Sequence, residues 1–120
     1  MRNRMMTGIA AAVLLANLSQ AGVQKAPADM NRMVKLCLAV QDELADAACR
    51  GFVSGVAETS RLFATTGQMA AAFCLPADLP PGDAVAVYRD YLGKNMALKH
   101  FPAAALAVSA FKEAYPCPQQ

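Results

Sequence analysis

The stretch LADAACRGFVSGVAETSRLFAT, residues 44–65, decides the fold. Cys49, Phe52, Val53, Val56, Ser60 and Phe63 recur at three- and four-residue intervals, the spacing of one helix face, while Arg50, Glu58 and Arg61 fall off it. A long amphipathic helix is the expected spine of the domain. Within it Ala47, Gly51 and Gly55 recur every fourth residue and leave a strip without side-chain bulk. In a bilayer such a strip serves helix dimerisation. Charged residues interrupt this segment, so the strip reads as a surface for close packing inside the domain.

Outward from the spine, helical spacing recurs on both sides. Met30, Met33, Val34, Cys37 and Leu38 mark a first helix, with Asp29 as its expected N-cap. Gln41-Asp42-Glu43 makes the corner into the spine, and Asp42, Glu43 and Asp46 read as carboxylates on a solvated face that complement the helix N-terminus. The span 67–82 collects breakers, including Pro80-Pro81, and reads as a loop tied down at its ends. A third helix is expected over Asp83–Met96, with Val85, Tyr88 and Tyr91 or Leu92 on the buried face and Arg89, Asp90 and Lys94 off it. A fourth is expected over Pro102–Tyr115, Pro102 suiting a first turn whose amide has no helical partner. Its Ala104, Ala105 and Val108 are the expected partners of the glycine strip. No strand alternation interrupts the pattern. The fold class is all-α, a small four-helix domain.

The first 21 residues read as a cleaved secretion signal. Arg2 and Arg4 flank a basic start, Gly8 to Leu18 is an apolar run, and Ser19 and Ala21 are small residues before the expected cut. The run is too short to span a bilayer, which needs about 20 apolar residues. The expected organisation is a signal at 1–21, a loose leader at 22–28 and a helical domain at 29–120, exported to the periplasm with no stable membrane anchor. Of 11 Lys and Arg, two leave with the signal, and the remaining nine balance the nine Asp and Glu. A mature chain of zero net charge gives no electrostatic footprint for nucleic acid.

Export changes the meaning of the four cysteines, because an even count in a small exported chain implies a disulfide framework. Cys37 ends the first helix and Cys49 begins the spine, so both belong at one end of it. Cys74 lies past the other end, about 25 Å away at 1.5 Å per residue. Antiparallel third and fourth helices would bring Cys117 back to Cys74. The layout therefore pairs Cys37 with Cys49 and Cys74 with Cys117, closures worth about 3 and 4 kcal/mol by the chain-entropy relation.

Chemistry finds little support. The cysteine spacings of 12, 25 and 43 contain no Cys-x-x-Cys pair for zinc, and His100, the single histidine, has no nucleophile or carboxylate at a recognisable spacing. No metal, no cofactor and no catalytic residue is expected.

Several elements together carry a resemblance: Cys37; Cys49-Arg50-Gly51-Phe52-Val53-Ser54-Gly55-Val56-Ala57; Phe73-Cys74-Leu75-Pro76; Tyr91-Leu92; His100-Phe101-Pro102-Ala103-Ala104-Ala105-Leu106; and Ala110-Phe111 running to Tyr115-Pro116-Cys117. In this order the chain resembles the Rap/Tai family of immunity proteins. The resemblance implies a periplasmic all-helical protein, often a homodimer, that binds a peptidoglycan amidase effector of a type VI secretion system and obstructs its active site without chemistry of its own. The alternative classes are a periplasmic stress chaperone or general protein-binding module, and an enzyme. Two segments are candidate contacts, 75–83 and 93–100. The second is preferred, because Lys94, Asn95, Met96, Leu98, Lys99 and His100 combine donors with apolar side chains able to fill a groove. Tyr88 and Tyr91 are candidate anchors if either faces outward.

Overall fold

The computed structural model describes residues 31–119 and contains four helices and no strand among them. They are α1 (Arg32–Leu38), α2 (Glu43–Thr65), α3 (Pro81–Lys94) and α4 (Ala103–Ala114). The expected signal at 1–21, the leader at 22–28 and the Asp29 cap lie outside the described residues.

Local chemistry sets each boundary. Asn31 caps α1, its Oδ1 accepting the Met33 amide at 2.9 Å, and Asp42 caps α2 by accepting the Ala45 amide at 2.9 Å. At the far end of α2, Gly67 adopts φ +70°, where a side chain would be strained. The Gly67 and Gln68 amides then reach the carbonyls of Ala64 (3.3 Å) and Phe63 (3.0 Å), closing the helix in a Schellman turn. Pro81 opens α3 two residues earlier than expected. A proline is well placed at the first helical position, so the Pro80-Pro81 step starts a helix as well as ending a loop. α3 also stops two residues early, because Asn95 caps it: its amide donates to Tyr91 and Leu92 carbonyls and its side chain donates to Tyr91.

α3 sits at the centre. Tyr88 is fully buried, its ring centroid 5.9 Å from that of Phe52 on α2 and its hydroxyl donating 3.1 Å to the Ala103 carbonyl at the start of α4. Burial pushes the Tyr88 phenol up to about 12. Phe73, from the loop after α2, packs on Phe111 of α4 at 5.2 Å. Buried alanines at 57, 84, 103, 107 and 110 let the helices approach, yet the middle of the core is aromatic.

Both disulfides form as the helix layout requires. Cys37 joins Cys49 with Cα atoms 4.9 Å apart, and Cys74 joins Cys117 at 4.8 Å. Arg89 reinforces the first of these corners, where its Nε donates 2.8 Å to the Cys37 carbonyl and its Nη2 lies 2.7 Å from Asp46. Asp46 also takes Arg50 Nε at 2.7 Å. The Arg50 and then the Arg89 hydrogen bond hold the Asp46 carboxyl below its ordinary value. The reading of Asp46 as a carboxylate on a solvated face is corrected accordingly: it and Arg89, which lies off the main buried face of α3 as expected, both point into the α1–α2–α3 corner.

The close-packing expectation for Ala47, Gly51 and Gly55 is not met. All three are exposed, and a Cβ added at Gly51 or Gly55 would meet no atom within 4 Å. Ala104 and Val108 do face that side, but across an open apolar groove of about 510 Å³ also lined by Phe52, Val56 and Phe63. The physical reason is the bulk of Phe52 and Tyr88. Their contact holds α3 against α2, so that α4 meets α2 only lightly and the glycines stay on the outer flank.

Candidate functional site

The connection between α3 and α4 is a short, internally bonded projection. Met96–Leu98 form one 3₁₀ turn, in which the Leu98 amide donates to Asn95 (2.8 Å) and the Lys99 amide to Met96 (3.3 Å). The Phe101 amide then donates to Leu98 at 2.8 Å, and the Lys99 carbonyl accepts the Asn31 amide at 3.3 Å. The turn is thereby tied to itself, to α3 and to the start of α1. Its outward residues are held in place without a partner.

The six sequence candidates divide here. Met96, Lys99 and His100 are exposed, and Met96 shows 43% of its surface to solvent. Leu98 is half-buried against the core, and Asn95 spends its donors on the Tyr91 carbonyl. Lys94 is exposed but lies 2.6 Å from Asp90, whose hydrogen bond raises the Lys94 ammonium above its ordinary value. Phe101 was not among the candidates, although it is 45% exposed with its ring 4.6 Å from that of His100. An aromatic directly before the helix-opening Pro102 was the signal that pointed to it. Met96, Lys99, His100 and Phe101 thus combine an exposed apolar side chain, an exposed cation and an aromatic pair, and of these residue types Met and the aromatics are enriched at interfaces.

The other candidate segment turns its apolar side chains inward. Leu75 and Leu79 pack on the core, and the Leu79 amide closes onto Pro76 at 3.2 Å. Neither tyrosine is an outward anchor: Tyr88 is buried, and Tyr91 is half-buried against the same core. Among the described residues no group of three or more His, Cys, Asp or Glu is placed to hold a metal ion, and no helix is long and apolar enough to cross a membrane.

No curated protein and no solved structure matches the chain. The family model of the Rap1a immunity proteins matches residues 29–117, which take in all four helices, both disulfides and the projecting turn. The chain belongs to the Rap1a family of immunity proteins.

Proposed function

We propose that this protein is exported to the periplasm, where it binds a peptidoglycan amidase effector of a type VI secretion system and occludes its active site. The observation that carries the site of contact is the exposed, pre-fixed turn at residues 96–101. A segment ordered before binding loses little conformational freedom on docking, which favours affinity. Met96 and Phe101 supply apolar contacts for a cleft, while Lys99 and His100 supply donors that would take the place of substrate or water in it. Family membership supports effector binding, and the export signal read in residues 1–21 supports the compartment in which peptidoglycan is met. The proposal includes a homodimer that presents one such turn per copy.

The test is capture of partners from an envelope extract by the mature protein, followed by titration against the captured hydrolase, reading both calorimetric binding and peptidoglycan cleavage. The Lys99→Ala/His100→Ala variant is expected to bind at least about tenfold more weakly, a loss of about 1.4 kcal/mol, with an unchanged helical spectrum. Unaltered binding and inhibition would remove the turn from the interface. Capture of many unrelated envelope proteins instead of one hydrolase would replace immunity with the chaperone reading.

A further inference from the structure

The two disulfides occupy opposite environments. Cys37 and Cys49 are both 0% exposed and belong to the core cluster with Val34 and Val53. Cys74 is exposed and Cys117 half-exposed, and both lie outside the helices, in the loop after α2 and the tail after α4. Little else joins those two segments near the bridge. The Cys74 amide donates 2.9 Å to the Tyr115 carbonyl, and Cys117 Sγ lies 3.9 Å from the Ala71 carbonyl oxygen.

Thiol–disulfide exchange needs a thiolate to reach a sulfur, so access decides which bridge opens first. We infer that Cys74–Cys117 is a latch that a dithiol reductant opens while Cys37–Cys49 stays closed. In the first step a reductant thiolate attacks Cys74 Sγ, forming a mixed disulfide and expelling the Cys117 thiolate. The reductant's second thiolate then attacks its own sulfur in the mixed disulfide and releases Cys74. The two protein thiolates take up two protons, the protein gains two electrons, and the reductant leaves as its cyclic disulfide.

Opening the latch separates the tail from the loop without dissolving the core. Phe73 keeps its contact with Phe111, and the α1–α2 corner keeps its own bridge and the Arg89 bonds. What loosens is the wall that Cys74 contributes to a cavity of about 290 Å³, lined also by Ala57, Ser60, Arg61 and Phe73. The latch thus couples the redox state of the surroundings to the shape of one face at the C-terminal half of α2.

Graded dithiothreitol without denaturant, quenched by iodoacetamide and mapped by peptide mass, reads this directly. Cys74 and Cys117 are expected to be alkylated at least about tenfold faster than Cys37 and Cys49, with a half-reduced species accumulating. Simultaneous labelling of all four, or earlier labelling of Cys37 and Cys49, would overturn the proposal. Hydrogen exchange on the half-reduced, alkylated protein gives the second reading. Peptides covering residues 70–80 should exchange faster while those of α2 and α3 keep their protection. Loss of protection throughout would show that the bridge holds the whole fold and is not a latch.

Discussion

Arg89 shows how much one side chain decides. Its guanidinium spans from the last turn of α1 to the first turns of α2, satisfying the Cys37 carbonyl and the Asp46 carboxylate at once. Helical periodicity places position 89 off the buried face of α3 and says nothing of a neighbouring corner, so it gives the residue no partner. Arg89→Ala should lower stability at neutral pH by about 1–2 kcal/mol, chiefly by leaving that carbonyl without its partner, as measured by urea unfolding. The pH dependence follows from Asp46. Its folded value lies below the unfolded one, so its share of stability is present above the unfolded value of about 3.9 and is lost as pH falls through the folded value. The gap between wild type and Arg89→Ala should narrow below about pH 4 and persist in part, because the carbonyl bond does not titrate.

At the scale of elements, α2 and α4 were legible almost to the residue. Their apolar faces are long, and Asp42 and Pro102 mark their starts. α3 was displaced by two residues at each end, because Pro81 acts as a helix opener and Asn95 as a cap, roles that depend on neighbouring backbone. The glycine strip shows the limit of spacing arguments. Small residues at every fourth position allow close approach, but whether a helix comes is set by bulk elsewhere, here Phe52 against Tyr88. The prediction reverses accordingly: Gly51→Ala and Gly55→Ala should each stabilise by about 0.5–1 kcal/mol, read as a raised urea midpoint, because a Cβ meets no atom there and alanine favours the helix. A destabilised variant would mean that the strip is in fact covered.

On the scale of the whole molecule, α1 is the weakest member, seven residues that could not persist as a helix alone. It is held by the Cys37–Cys49 bridge, by Arg89 and by the burial of Val34. The Cys37→Ala/Cys49→Ala variant should therefore lose about 3 kcal/mol from loop closure alone, seen as a lower urea midpoint. Exposure in the candidate segment was legible in the same limited way. Lys94, Met96, Lys99 and His100 are exposed, whereas Asn95 and Leu98 are taken up by the turn's own bonding, and Phe101 emerges beside His100. A connection without a period carries no code for direction; the 3₁₀ turn and the Asn31–Lys99 bond supply it.

By itself the sequence determined the all-helical class, the positions of the longer helices, the pairing of the cysteines and the family. These follow from apolar period, chain length and order of motifs, which are properties of the chain as a line. Only the tertiary structure decided that Arg89 and Asp46 point inward, that the glycine strip borders an open groove, that one bridge is buried and the other exposed, and which residues of the α3–α4 turn meet solvent. Each of these depends on what stands opposite a residue across space, and that is fixed by the volumes of Phe52, Tyr88, Phe73 and Phe111 packed together.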